Sequence, residues 1–302
     1  MTDKNNFDVI IIGGSYSGLS AAMSLGRALR TVLIIDSGKP CNIQTPHSHN
    51  FITQDGKTPK EISAIAKQQV EKYDTVTFYN GLATNGVKTD KGFEIITQSE
   101  DIFTAKKLIF ATGIKDIMPD IKGFSECWGI SVIHCPYCHG YEVKNKKTGI
   151  LGNGEYGFDF SKMICNWTKD LILFTNGKST LTEEQTAKIK KHDVKIVETE
   201  IDRFEQSNGQ IQNIIFKDGS KTAIKAMYSR PAFQQHCDIP VKLGCELTEQ
   251  GYIKADMFQK TTVYGVYACG DNTTFIRSIA NAVSLGTLSG AMTNKEIIDE
   301  EF

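Results

Sequence analysis

The sequence predicts an α/β protein made of two parallel-sheet domains, the second inserted into the first. Three observations predict this fold. An apolar run at 7–12 leads into the glycine-rich segment 13–18, and a second run at 148–151 leads into another at 152–157. A further strand and turn at 265–271 then complete the first half late in the chain. At 302 residues the chain is long enough for two domains, each with its own core.

Composition limits the class of protein. Hydrophobic residues make up 40% and charged residues 23% of the chain, as in folded globular proteins. The net charge of −1 provides no basic field for nucleic acid or an anionic membrane, so neither partner is expected. No secretory signal and no apolar run of transmembrane length is found, so we expect a cytoplasmic protein.

The first half begins with a βαβ unit. The apolar strand at 7–12 is followed by the glycine loop, a helix extending through Leu29, and a strand from Thr31 that ends in Asp36. Backbone N–H groups at such a helix start can bind a pyrophosphate, and the acid at the next strand end can bind a ribose hydroxyl. This pattern predicts a nucleotide site rather than a plain structural turn, formed by Gly13, Gly14, Ser15, Gly18 and Asp36.

The second half repeats the plan. Strand Thr148–Leu151 precedes a helix that we expect to reach about Lys169, and strand Leu171–Phe174 follows. Its loop has all three glycines, Gly152, Gly154 and Gly157, and therefore predicts dinucleotide binding. Because residues 175–178 contain neither an acid nor an arginine, NADH and NADPH cannot be distinguished. A Rossmann-like half retained only as scaffold is the alternative.

A last set of contacts is expected near the C-terminus. A Gly-Asp turn precedes a helix that starts near Arg277 and continues to about Ile298. The N-terminus of such a helix can stabilise negative charge on a bound ring, although a Gly-Asp pair can also be only a turn. The residues assigned to this second contact set are Gly270, Asp271, Arg277, Ser278 and Ile279.

Residues 134–140 read His-Cys-Pro-Tyr-Cys-His-Gly and contain the paired cysteines Cys135 and Cys138. A redox pair is the favoured interpretation, because unpaired N–H groups at a helix start lower a thiol pKa, and His139 can move the proton. A zinc site would crowd four ligands into six residues, and no second pair completes it. A c-type haem site, CxxCH, normally requires export. We assign no metal.

Other candidates are less specific. His47 and His49 lie in the first long loop, where either could reach a bound cofactor or a substrate, or serve only in packing. Six further cysteines show no paired spacing, as expected of small buried hydrophobic residues.

Taken together, the two glycine loops, the Ala111-Thr112-Gly113 strand end, the cysteine pair and the Gly-Asp turn resemble the low-molecular-weight thioredoxin reductases. The resemblance implies two Rossmann-like three-layer domains: an FAD-binding domain of residues 1–114 plus 240–302, and an inserted NAD(P)H-binding redox domain of residues 115–239. It adds Gly113 to the FAD contacts, and it implies a homodimer and a rotation of the inserted domain. It also implies that Cys138 faces the flavin and that Cys135 attacks the external disulfide.

Departures from that family suggest a subgroup. His139 stands where the family usually has an acid, Thr175-Asn176-Gly177 where it has a His-Arg-Arg cluster, and Ser278 where it has glutamine. The form Cys-Pro-Tyr-Cys-His-Gly-Tyr-Glu looks more like relatives that oxidise small dithiols such as gliotoxin and holomycin precursors. From the family as a whole we expect an NAD(P)H-dependent reductase of a small or protein disulfide, thioredoxin included. The alternatives are an oxygen-coupled dithiol oxidase and a non-catalytic flavin-binding redox sensor.

Overall fold

The computed structural model describes residues 5–302, which divide into two compact units. The first contains residues 5–43, 59–115 and 233–302, and the second contains 44–58 and 116–232. The segment 44–58 differs from the sequence-based division, which gave all of 1–114 to the first domain. Its residues contact the second unit, where Thr45 packs beside Gly129 and His49 lies beside Glu142.

The first unit is built on a seven-stranded sheet with the order β3-β2-β1-β6-β5-β4, in which β17 also pairs with β6. Its strands are β1 (Asn6–Ile12), β2 (Val32–Asp36), β3 (Val76–Asn80), β4 (Ala83–Thr89), β5 (Gly92–Thr97), β6 (Ile102–Phe110) and β17 (Val266–Ala268). Its helices are α1 (Tyr16–Arg27), α2 (Pro59–Val70), α7 (Ile239–Lys242) and α8 (Ile279–Glu301). Strands β1, β2, β3, β6 and β17 are parallel, whereas β4 and β5 join antiparallel.

Both faces of this sheet are buried. Along β1, Ile10 and Ile12 belong to one apolar cluster, while Val9 and Ile11 belong to the cluster on the other face. Successive side chains of a strand point to opposite faces, which explains why the run is apolar throughout. Helix α8 approaches α1 so closely that a Cβ on Gly286 would lie 2.1 Å from the Ser17 carbonyl oxygen.

The second unit has a five-stranded parallel sheet with the order β11-β10-β9-β15-β8 and an antiparallel sheet β12-β13-β14. The parallel strands are β8 (Val132–Ile133), β9 (Thr148–Leu151), β10 (Leu171–Phe174), β11 (Lys195–Val197) and β15 (Ala226–Ser229). The others are β12 (Ile201–Ser207), β13 (Gln210–Phe216) and β14 (Lys221–Ala223). The helices are α3 (Phe124–Cys127), α4 (Pro136–His139), α5 (Gly154–Ile164) and α6 (Glu183–Lys191).

The chain crosses between the units four times. The crossings at 115/116 and 232/233 fall within two short strands, β7 (Ile114–Ile117) and β16 (Ala232–Gln235), which form a small sheet of their own. Most predicted elements are present, and the α/β fold class is confirmed. Four helix ends differ. Helix α1 ends at Arg27 rather than Leu29, and α5 ends at Ile164 rather than Lys169. Helix α8 begins at Ile279, because Ser278 is its N-cap, and it ends at Glu301 rather than about Ile298.

Candidate functional site

The first glycine loop connects β1 to α1 with little space for side chains. Gly13 has φ +104°, and a Cβ there would lie 2.3 Å from the Ala111 carbonyl oxygen. A Cβ on Gly18 would lie 1.8 Å from the carbonyl oxygen of Gly13. Ser15 is the N-cap of α1, and its side chain makes no capping hydrogen bond. The N–H groups of the first turn can therefore face a phosphate.

Asp36 lies at the end of β2, beside this loop. Its Oδ1 accepts a hydrogen bond from the Gly14 N–H at 3.0 Å. The same carboxylate lies so close to Gly14 that a Cβ there would be 2.8 Å from the Asp36 Cβ. The half-buried acid can accept from a ribose hydroxyl, so the residues of this loop fit an adenine dinucleotide such as FAD.

The Gly-Asp turn after β17 reaches the same region. Gly270 has φ +89°, and a Cβ there would lie 2.7 Å from Oγ of Ser17 in α1. Asp271 Oδ2 lies 3.6 Å from Nε of Arg277, whose side chain is mostly buried. Oγ of Ser278 accepts from the Asn281 N–H at 3.2 Å and so caps α8. Gly270 thus lies beside α1, Arg277 is paired with Asp271 of the turn, and Ile279 is the first residue of α8.

Sequence reasoning overlooked Asn272, which follows this turn. Its Nδ2 donates to the Phe110 carbonyl oxygen at 2.8 Å, and its Oδ1 is buried with no hydrogen-bond partner among residues 5–302. A fully buried amide oxygen without a partner is costly. It lies near Thr112, just before Gly113. Gly113 has φ +62°, and nothing lies within 4 Å of a Cβ built there. Only the tertiary structure brings this residue to the strand end, and its sequence position carried no signal.

The cysteine pair lies on α4 in the second unit. Cys135 is the N-cap of this helix, and Pro136 occupies its first turn. The Cys138 N–H donates to Sγ of Cys135 at 3.2 Å, and the Cys138 thiol makes a side-chain hydrogen bond to the same sulfur. A Cβ on Gly140 would lie 2.8 Å from Nε1 of Trp167, so only glycine lets α4 approach this ring so closely.

These hydrogen bonds make Cys135 an acidic thiol. The hydrogen bond from the Cys138 side chain and the backbone N–H groups of Cys138 and Tyr137 outweigh the opposing effect of burial, and lower the pKa of Cys135 from 9.0 to about 7. A thiolate is the reactive form in disulfide exchange. Cys135 is therefore suited to attack an external disulfide, with Cys138 adjacent to resolve the product.

His139 does not stand alone beside the pair. Burial lowers its pKa, and the charge of His49 lowers it further, while Glu142 opposes both. The His49 and His139 rings lie edge to face with centroids 6.5 Å apart. His49 Nε2 lies 3.6 Å from Oε1 of Glu142. Near neutral pH, His139 is thus a neutral imidazole that can accept a proton.

The second glycine loop is bound to its neighbouring segment by Asn153. Its Oδ1 accepts from the Gly154 N–H at 2.8 Å and from the Thr180 N–H at 2.8 Å. Its Nδ2 donates to the carbonyl oxygen of Lys178 at 2.9 Å. One N–H group of the loop that could face a phosphate is therefore already satisfied.

Two further residues occupy this loop. A Cβ on Gly152 would lie 2.6 Å from ring carbons of Tyr156, so the ring covers that glycine. Glu155 adds a carboxylate to the first turn of α5, where negative charge opposes a phosphate. Gly157 packs close to Gly152, as expected of the third glycine. The residues of this loop fit a pyridine dinucleotide less well than those of the first loop fit FAD.

No group of three or more His, Cys, Asp or Glu side chains within 5–302 is arranged to hold a metal ion. Over the same residues, no helix combines the length and apolar character needed to span a bilayer.

Comparison with known proteins identifies the family. Residues 7–286 match the family described as pyridine nucleotide-disulphide oxidoreductase. This chain is 30% identical to thioredoxin reductase tcpT of Claviceps purpurea, over 99% of its own length and 96% of the relative's. The chain therefore belongs to the pyridine nucleotide-disulphide oxidoreductases. Within that class it is a thioredoxin reductase-like, flavin-dependent thiol–disulfide oxidoreductase, as the sequence predicted.

Solved structures agree in fold. An oxidoreductase from Agrobacterium tumefaciens superposes with a TM-score of 0.91 at 36% identity, covering 97% of this chain and 99% of that one. HlmI superposes with a TM-score of 0.93 at 28% identity, covering 100% and 95%. Membership of this family implies use of a flavin and a pyridine nucleotide, and action on a disulfide.

Proposed function

We propose that this protein is an NAD(P)H-dependent disulfide reductase in which FAD is held by the first glycine loop and Cys135 attacks the substrate. Bound FAD supplies two-electron transfer between the nucleotide and the cysteine pair. The observation that carries the proposal is the Cys135 sulfur at the start of α4, which accepts hydrogen bonds from Cys138.

The exchange step follows from this geometry. The Cys135 thiolate attacks one sulfur of the external disulfide, forming a mixed disulfide and releasing one substrate thiolate. The Cys138 thiolate then attacks Sγ of Cys135, releasing the second substrate thiol and leaving the Cys135–Cys138 disulfide. The cysteine pair loses two electrons and two protons, and the substrate gains both. We assign the proton transfer to His139, which is neutral near pH 7.

A second candidate runs the same exchange in reverse. A small dithiol would reduce the Cys135–Cys138 disulfide, and dioxygen would accept the two electrons and two protons as hydrogen peroxide. The observation that favours it concerns Asn153 of the second glycine loop. Its amide oxygen accepts the hydrogen bond of the Gly154 N–H, which is then not free to bind a phosphate. The Glu155 carboxylate at the start of α5 also opposes a dinucleotide phosphate.

One anaerobic titration separates these candidates. The flavin absorption of the purified protein is followed while NADPH, NADH or dithiothreitol is added. Bleaching by either nucleotide supports the reductase. Bleaching by dithiothreitol alone, with peroxide formed once air is admitted, supports the oxidase. Bleaching without turnover of any dithiol or disulfide would contradict both and support a redox sensor.

We extend the proposal to a homodimer in the cytoplasm that acts on a small or protein disulfide, thioredoxin included. The support is the resemblance to thioredoxin reductases. Light scattering on the purified holoprotein tests the dimer, because a monomeric mass at micromolar concentration would contradict it. Turnover with thioredoxin, compared with turnover of small disulfides of matched concentration, tests the partner.

A further inference from the structure

The loop 44–58 is folded around its own hydrogen bonds within the second unit. The Ser48 N–H donates to the Lys57 carbonyl oxygen at 2.8 Å, and the Gly56 N–H donates to that of Ser48 at 2.9 Å. His47 Nδ1 lies 3.0 Å from the Gly56 carbonyl oxygen. Ser48 itself is buried. The loop therefore holds the neighbouring His49 in a defined position.

His49 lies between two carboxylates. Its Nδ1 is 3.6 Å from Oδ2 of Asp55, and its Nε2 is 3.6 Å from Oε1 of Glu142. Asp55 is fixed in turn, because its Oδ1 accepts from the Asn50 N–H at 2.7 Å. The imidazole is mostly buried, with 21% of its side chain exposed. A histidine bound in this way connects the loop to the cysteine helix.

The charges around His139 act in opposite directions. A proton on His49 opposes a proton on His139, whereas the carboxylate of Glu142 favours one. Other titratable groups also face this cluster. His47 and Asp55 lie beside His49, and the two cysteines lie at the helix of His139. Burial raises the pKa of Tyr228, and the charges of Cys135 and Glu142 raise it further.

We propose that His49 and Glu142 are positioning residues that set the protonation of His139 from opposite directions. They thereby fix the pH range in which the Cys135–Cys138 pair can exchange protons with its substrate. This inference deepens the proposed function and rests on the role of His139 in it. A residue from a loop far away in sequence would then control the proton chemistry of the cysteine pair.

The test measures His139 directly. Histidine labelled with carbon-13 is incorporated into the holoprotein, and the six imidazoles are titrated by NMR, with His139→Gln assigning the signal. In His49→Gln, we expect the midpoint of His139 to move to higher pH, because an opposing charge is lost. In Glu142→Gln, we expect it to move to lower pH, because a favourable charge is lost. The pH profile of turnover should move in the same two directions.

His192→Gln provides the matched control, because this histidine is exposed at the end of α6. It should leave both the His139 midpoint and the pH profile unchanged. Each variant is checked for retained flavin and for an unchanged circular dichroism spectrum. If only one of His49→Gln and Glu142→Gln folds, that variant alone tests the inference.

The outcomes separate the inference from the proposed function. Shifts in the same direction, or no shift in a folded variant, would overturn the inference while an active wild type keeps the proposed function. A wild type without disulfide or dithiol turnover would overturn the proposed function itself.

Discussion

The backbone N–H of Cys138 donates to Sγ of Cys135 across 3.2 Å, and this bond makes the two cysteines chemically unequal. The sulfur of Cys135 also accepts a hydrogen bond from the Cys138 thiol, which together with the backbone bonds lowers the pKa of Cys135 to about 7. In contrast, burial raises the pKa of Cys269 to about 12. Reactivity should therefore be concentrated at one of the eight cysteines.

We expect iodoacetamide to alkylate Cys135 first in the reduced protein, with a midpoint near pH 7. At that pH a thiol of pKa about 7 carries roughly 50-fold more thiolate than one of pKa about 9. Peptide mapping by mass spectrometry as a function of pH measures the rate at each site. Cys269 serves as the internal control and should stay unmodified while the protein is folded. A midpoint near 9 for Cys135, or faster reaction at Cys138, would contradict the assignment.

The difference in hydrogen bonding between Cys135 and Cys138 also predicts which cysteine forms the mixed disulfide. In Cys138→Ser, Cys135 should attack an aryl disulfide such as dithiobis-nitrobenzoate and keep one half of it, because no neighbouring thiol can resolve the bond. In Cys135→Ser, the adduct should form much more slowly. Intact mass spectrometry measures both, and turnover should be lost in each variant. An adduct that accumulates instead on Cys138 would reverse the two roles.

The first glycine loop offers a test of cofactor binding. In Gly18→Ala, the new Cβ would lie 1.8 Å from the Gly13 carbonyl oxygen, so the backbone that faces the phosphate must move. We expect the purified variant to carry little flavin, as measured by its absorption spectrum relative to total protein. Gly219→Ala is the control, because its φ of +83° costs about 1 kcal/mol but nothing lies within 4 Å. Full flavin content in Gly18→Ala would show that the cofactor binds elsewhere.

The βαβ units could be predicted from the sequence because each is a local pattern. The apolar strand, the glycines and Asp36 all lie within residues 6–36, and the hydrogen bond between Gly14 and Asp36 closes that same unit. The cysteine helix was similarly local, since Cys135 and Pro136 already indicate an N-cap followed by a first turn.

The neighbours of the cysteine pair could not be predicted in this way. His49 approaches His139 only because the loop 44–58 packs with the second unit. The sequence of that loop has no periodicity from which its packing surface could be predicted. The early end of α5 has a related cause. Trp167 leaves the helix and packs edge to face against Tyr137, with centroids 5.4 Å apart. Such contacts are tertiary, so helix propensity alone extended α5 too far.

A buried ion pair in the first unit gives the last prediction. Nζ of Lys107, with 3% of its side chain exposed, lies 2.9 Å from Oε1 of Glu296, and it also contacts Glu300. Burial raises the pKa of Glu296, but its bonds with Lys260 and Lys107 outweigh that and hold it below the ordinary value. Removing Lys107 therefore leaves a buried carboxylate with less compensation.

We expect Lys107→Met to lower the free energy of unfolding by about 3 kcal/mol, or the melting temperature by about 6–12 °C. The control is Lys188→Met, whose partner Glu184 is 77% exposed, and which should cost at most about 0.5 kcal/mol. Because the folded pKa of Glu296 is depressed, the stabilisation is present above the ordinary carboxylate pKa and is lost as the pH falls through the folded value. The difference between wild type and Lys107→Met, followed by calorimetry, should accordingly shrink in acid. Equal losses in the two variants at neutral pH would mean that the buried pair contributes no more than a surface one.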